Sequence, residues 1–213
     1  MDIFDGSPIL SEEFDYQALL AALDGYARPR DRITELIRKG EIIRVKKGIY
    51  VPGAKRRRRP FSREVLANLI YGPSYISLEY ALAFYGLIPE GANAVTSVTT
   101  GRSRRFETLV GLFTYGAVPT AAFAAGGDRL EFGDGRSFLI ALPEKAVADK
   151  IRLDHGTGIE SRRELREYLV DSLRIDPAEL AAMRAERFEE YAGLYGSRKI
   201  ALLASMLRRG KFQ

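Results

Sequence analysis

The sequence predicts an α+β chain in two parts, residues 1–53 and 61–213, joined by a short basic segment at 54–60. Three observations predict it. Two helix-spaced apolar patterns near the N-terminus run straight into a pair of β-rich segments. From Asn93 the period changes from helical to extended. Beyond residue 160 helical punctuation returns, so that the second part ends in a helical stretch at 160–210.

In chain order, residues 15–23 read as a helix with Asp15 as N-cap, Tyr16, Leu19, Leu20 and Leu23 on one face, and Gly25 as its stop. Pro29 suits the first position of a second helix that runs to about Lys39 and is closed by Gly40. Its apolar face is Ile33, Leu36 and Ile37. At about 100° per residue, Asp31, Thr34, Glu35 and Arg38 fall on the opposite face, flanked by Arg30 and Arg32. Ile42 to Val45 and Ile49 to Val51 are β-rich runs around a Lys46-Lys47-Gly48 connection, which is a hairpin signal with two lysines at its tip. Helix, helix and tight hairpin is the order of a winged helix-turn-helix, with the helix after Pro29 as recognition helix and the hairpin as wing. A third helix of such a core would be a short turn within residues 2–12, or a degenerate middle helix.

The second part is expected to open at Ser62, an N-cap with Phe61 placed to staple onto Leu66, followed by a short helix from Ser77 to Tyr85. Ala94 to Thr100, Thr108 to Tyr115, Arg129 to Phe132 and Ser137 to Leu142 are β-rich, the last two joined by Gly133-Asp134-Gly135. Pro143 opens a helix through Leu153. Ser161-Arg162-Arg163-Glu164 and Asp176-Pro177-Ala178-Glu179 both fit the capping box, with Leu165, Tyr168, Leu169 and Leu173, then Leu180, Met183, Phe188 and Tyr191 behind them. Ser197 caps a last helix that ends at Gly210.

Charge is distributed unevenly. Residues 1–27 carry −6, residues 28–59 carry thirteen Lys and Arg against three acids, and residues 60–213 carry +1. A block that basic beside a near-neutral remainder is the footprint of a polyanion-binding element. With 46% hydrophobic residues the chain can bury a real core, which excludes disorder of the whole. The absence of cysteine excludes disulfides and thiolate chemistry, and a single histidine, His155, excludes multi-His metal sites. No apolar run approaches the roughly 20 residues of a membrane-spanning helix. The first residues lack the charged start and apolar stretch of an export signal, so a cytoplasmic protein without membrane association is expected.

Catalytic patterns are weak. His155 sits in a polar loop with no nucleophile elbow elsewhere, and Gly126-Gly127-Asp128 is followed by no Lys-Ser/Thr. Glu144, Lys145 and Asp149 could serve a metal-dependent nuclease, but their spacing in one helical run fits helix-surface charge better. Thr99-Thr100-Gly101-Arg102-Ser103-Arg104-Arg105 places three arginines and several hydroxyls just after a strand, a phosphate-contacting composition.

Several segments resemble the AbiEi-type antitoxins of the abortive-infection, type IV toxin–antitoxin class. In the N-terminal part these are Tyr26-Ala27-Arg28-Pro29-Arg30, Leu36 to Arg44, and Lys47-Gly48-Ile49-Tyr50-Val51. Further on they are Ser77-Leu78-Glu79-Tyr80-Ala81-Leu82, Tyr85-Gly86-Leu87, Thr99-Thr100-Gly101-Arg102, and Pro143 to Lys150. The similarity covers most of residues 15–153. It implies a non-enzymatic DNA-binding repressor of its own operon, whose second part counteracts a nucleotidyltransferase-like toxin without needing a stable complex with it. No cofactor or metal is expected.

On this reading base contacts fall to Arg30, Thr34 and Arg38, where Arg can pair with guanine and Thr can touch a thymine methyl. Phosphate contacts fall to Arg44, Lys46, Lys47 and the run Arg56, Arg57, Arg58, Arg59. Arg28 and Lys39 complete the set facing duplex DNA of the chain's own promoter. Arg102, Ser103, Arg104 and Arg105 form a separate antitoxin or nucleic-acid surface. Two alternatives stay open: a metal-dependent nuclease targeted by a winged helix, and a ligand-sensing transcription factor with no antitoxin role.

Overall fold

A computed structural model describes residues 12–155, 158–210 and 212. The helical turn expected within residues 2–12 therefore lies, apart from Glu12, outside the described residues. Strand β1 (Phe14–Asp15) leads directly into helix α1 (Tyr16–Ala22), which starts where expected because the Asp15 carboxylate accepts the amide of Ala18 at 2.8 Å. Helix α2 (Pro29–Arg38) has Pro at its first turn and buries Ile33 and Leu36. Strands β2 (Ile42–Lys46) and β3 (Ile49–Pro52) form the expected hairpin, with Gly48 at φ +90°, a conformation costly for any residue with a Cβ.

The sequence pattern concealed that these strands form a three-stranded antiparallel sheet, ordered β1-β3-β2, with Phe14 opposite Tyr50. The sheet is covered on both faces. Phe14, Ile42 and Tyr50 pack with Leu19, Leu23, Ile33 and Leu36 in a small core under α1 and α2. Alternation along β2 places Ile43 and Val45 on the face opposite Ile42, and a register shift between Arg44 and Lys46 sets Lys46 opposite Ile49 on that same face. Val45 and Val51 instead join Leu66 and Ile70 in the large core of the rest of the chain. Apolar packing is therefore continuous across the boundary expected at 54–60.

Helix α3 (Arg63–Ile70) begins at Ser62, whose hydroxyl accepts the Val65 amide at 3.1 Å. Strand β4 (Ser74–Ile76), helix α4 (Leu78–Phe84), strands β5 (Val95–Thr99), β6 (Arg104–Thr108) and β7 (Gly111–Ala117), the short α5 (Thr120–Phe123), and strands β8 (Gly127–Glu131) and β9 (Ser137–Ala141) follow. They build a six-stranded mixed sheet, ordered β6-β7-β5-β4-β9-β8, in which β5/β7 and β4/β9 pair in parallel. Helix α3 lies on one face, where the Tyr115 hydroxyl donates to the Ala67 carbonyl at 2.6 Å. Helix α6 (Pro143–Leu153) lies on the other. The chain ends in α7 (Arg162–Arg166), a π-helical stretch at Glu167–Ser172, α8 (Pro177–Ala182), α9 (Ala185–Tyr195) and α10 (Arg198–Arg208). The fold is thus α+β with a helical C-terminus, and no described helix is long and apolar enough to cross a membrane.

Four expectations are corrected. The run from Thr108 to Tyr115 is not one strand, because the chain turns at Leu109-Val110; Thr108 ends a strand that starts at Arg104, so Arg104 and Arg105 lie on an edge strand themselves and not only after one. The helix behind Asp176 breaks at Met183–Arg184, both extended, because Met183 closes α8 and the chain starts again at Ala185. The capping box at Ser161 is complete, whereas Asp176 caps only the Ala178 amide, at 2.7 Å. Last, Glu144, Lys145 and Asp149 are buried rather than surface charge. Both faces of α6 are covered, since α4 and α9 as well as the sheet pack against it.

Candidate nucleic-acid interface

The inward face of α2 is set by Ile33 and Leu36, and this turns Arg30, Thr34 and Arg38 outward to solvent. Thr34 is exposed and its hydroxyl donates back to the Arg30 carbonyl at 3.1 Å. The acids on this helix do not neutralise those arginines. Glu35 is held by Arg32 and Lys39, each at 2.6 Å, and these two contacts, Lys39 foremost, bring its carboxyl down to about 2. Arg32 also lies 5.8 Å over the Tyr26 ring. Arg28, the N-cap, is exposed and reaches Asp31 only at 4.0 Å. Arg44 on β2 and Lys47 in the β2–β3 turn are exposed as well. Among the described residues, Arg30, Arg38, Arg44 and Lys47 have no carboxylate within salt-bridge distance.

The other expected cations are placed differently. Lys46 turns inward, donating to the Ile70 carbonyl at 2.8 Å with its amine 4.7 Å from the Phe106 ring centroid. It therefore ties β2 to α3 and β6 instead of pointing along the turn with Lys47. Residues 54–60 are an ordered turn in which Arg56 and Arg57 amides bond to the Gly53 carbonyl. Arg56 grips the Glu41 carboxylate at 2.9 Å, Arg57 stacks 4.6 Å over Phe61, and Arg59 reaches Asp134 at 2.8 Å and Glu12 at 3.3 Å. Lys55 and Arg58 are exposed. The same seam holds Arg136, which bonds Asp134 and Glu13, both at 2.8 Å, while Glu13 also takes the Ser62 amide. Burial pushes the Glu13 carboxyl up, and Arg136 pulls Asp134 down.

Arg102 and Ser103 precede β6, and the Ser103 hydroxyl accepts the Ala117 amide at 3.1 Å. Arg104 and Arg105 lie on the outer strand of the six-stranded sheet, Arg105 bonded to Glu107 at 2.8 Å. Charged side chains on an edge strand also serve to block pairing with another chain.

Two features carry no clear sequence signal. One is Leu109, 86% exposed at the apex of the β6–β7 turn. It closes one side of a groove of about 550 Å³ whose other walls include Thr34, Ile37, Ile43 and Arg44. The other is the cluster around Asp149. Its carboxylate accepts from Ser77 at 2.7 Å, Tyr75 at 3.1 Å, Lys145 and Tyr195. Lys145 in turn reaches the Tyr195 hydroxyl at 2.6 Å. Burial lowers the Lys145 amine and raises the Tyr75 and Tyr195 phenols. Glu144 is bonded by Arg187 at 2.9 Å. With four donors on one carboxylate, the cluster has the makeup of a satisfied core ion pair. Among the described residues no three His, Cys, Asp or Glu side chains gather to hold a metal, and His155 is exposed. Compared with known proteins, the chain matches no family model and no curated protein.

Proposed function

We propose that the chain is a sequence-specific duplex-DNA-binding repressor of its own promoter, acting in the cytoplasm as the antitoxin to a nucleotidyltransferase-like toxin. In this reading residues 12–53 are the described part of a winged helix, with α2 entering the major groove and the β2–β3 turn as its wing. One observation carries the DNA-binding half: among the described residues, Arg30 and Arg38 on the outward face of α2 and Arg44 and Lys47 on the β2–β3 hairpin stand exposed without carboxylate partners, while Glu35 of α2 is already neutralised. Arg38 and Thr34 read base edges; Arg44 and Lys47 hold phosphates. Arg56 and Arg59, engaged with acids, act on the fold rather than on DNA. The antitoxin half rests on the resemblance of residues 15–153, and Arg102 and Arg104, exposed and without a carboxylate partner among the described residues, are its basic groups beside Arg105, which is paired with Glu107. The nuclease alternative is disfavoured because Asp149 is saturated with internal donors.

Retardation of a duplex from the chain's own promoter, measured over a range of salt, tests the first half. Each neutralised phosphate contributes about 0.9 to the slope of log affinity against log salt, so binding indifferent to salt overturns the reading. Co-expression with a nucleotidyltransferase-like frame from the same operon tests the second. Restored growth is expected, and toxicity unrelieved by the intact chain defeats it.

A further inference from the structure

The β6–β7 hairpin does not belong to the DNA-reading part of the chain, yet it is seated along it. At its apex Leu109 faces Thr34 and Arg44 across the groove, and three residues back Phe106 lies under the Lys46 amine. The hairpin therefore runs beside β2 and is fixed at two points, with Phe106 further held by Tyr71 and Tyr115 at ring distances of 5.9 and 5.7 Å.

The apex itself is stiff. The Thr108 hydroxyl donates to the Gly111 carbonyl at 2.8 Å and accepts the Val110 amide at 3.2 Å. Gly111 sits at φ +135°, and a Cβ there would come within 2.8 Å of the Arg63 guanidinium, itself anchored on the Asn93 carbonyl. The backbone at φ +135° is one that residues with a Cβ rarely adopt, so glycine suits this position. Val110 packs inward onto the core, so the turn presents Leu109 alone.

A rigidly held, almost fully exposed leucine beside a helix face of arginine and threonine is a specific combination. The groove it borders has an arginine and a threonine at its rim, apolar walls, and no carboxylate in its lining. That lining places no negative charge against a phosphate and offers an apolar contact beside the residues that read base edges.

The geometry points to Leu109 as a base-reading residue, contacting a thymine methyl in the same major groove that α2 enters. This rests on the DNA-binding reading above and adds to it a specificity contact supplied by the second part of the chain. Its consequence is that residues 12–53 alone would read a shorter site than the whole chain.

The test uses the full chain and duplexes selected from a random library, followed by replacement of each thymidine with deoxyuridine, which removes only the methyl. Wild-type protein is expected to select a thymine at one position flanking those read by α2. Deoxyuridine there should cost about fourfold in affinity, the value of one buried methyl at ~0.8 kcal/mol. Leu109→Asn, a surface change that leaves the core untouched, should select no thymine there and be insensitive to deoxyuridine, while positions that depend on Arg38 keep their preference. Unchanged thymine selection by Leu109→Asn overturns the inference and leaves DNA binding standing. Equal weakening on every duplex overturns it in favour of a backbone contact, and a change of oligomeric state would assign the apex to a second copy. If the wild-type chain selects no duplex at all, the DNA-binding reading itself fails.

Discussion

Arg30 and Arg38 in one basic stretch and Arg56 and Arg59 in the next look alike in the sequence, and the fold treats these two pairs in opposite ways. In the first stretch, burial of Ile33 and Leu36 forces the polar side of α2 outward, and its acid Glu35 is taken by Arg32 and Lys39 within the same helix. Arg30 and Arg38 are left to solvent. In the second, the acids come from far along the chain: Glu41 meets Arg56, and Glu12 and Asp134 meet Arg59. Local basicity is therefore a poor guide to available positive charge. What decides is whether tertiary folding brings a carboxylate to the guanidinium.

The sharpest test of that contrast lies where charge is most completely engaged. Lys145→Ala leaves Asp149 buried without its cation, a change expected to cost about 3–5 kcal/mol of stability in urea unfolding. If the variant unfolds like wild type, the cluster around Asp149 is not the closed ion pair described. At the opposite extreme, Arg38→Ala should leave stability nearly unchanged and lose ~1–3 kcal/mol of discrimination between preferred and random duplex. Alongside it, Arg44→Ala should lower the salt slope by about 0.9, and Arg56→Ala should leave it where it was. A lower slope for the Arg56 variant would erase the distinction between the two stretches.

The smallest effect concerns pH at the seam. Asp134 is held below its ordinary value of 3.8 by Arg136 and Arg59, so its contribution is present above that value and is lost as pH falls through the lowered one. Glu13 works in the other direction, since burial raises it above 4.5 and favours its protonated form in the fold; its contribution grows as pH falls. Asp134→Asn should therefore lose less stability than wild type between about pH 5 and about pH 3, read as the shift of the urea midpoint. A midpoint that falls just as far would show that Asp134 does not hold the seam at neutral pH.

What the sequence by itself determined is what depends on neighbours a few residues apart. Asp15, Pro29, Ser62, Pro143, Ser161 and Ser197 start helices where their short-range chemistry predicts, and Lys47-Gly48 turns the hairpin. The outward placement of Arg30, Thr34 and Arg38 was legible for the same reason, since helical period alone separates them from Ile33 and Leu36. Tertiary structure decided the rest. Strand β4 is three residues long and exists because β5 and β9 pair on either side of it. Lys46 looks like its neighbour Lys47 until Ile70 and Phe106, 24 and 60 positions away, supply a carbonyl and a ring. Lys145 and Asp149 have the spacing of surface charge, and only the arrival of Tyr75, Ser77 and Tyr195 from three other elements makes their burial affordable. Hydrogen-bond partners and desolvation are properties of the assembled environment, so periodicity can assign a face to a side chain but cannot say what waits on the other side of it.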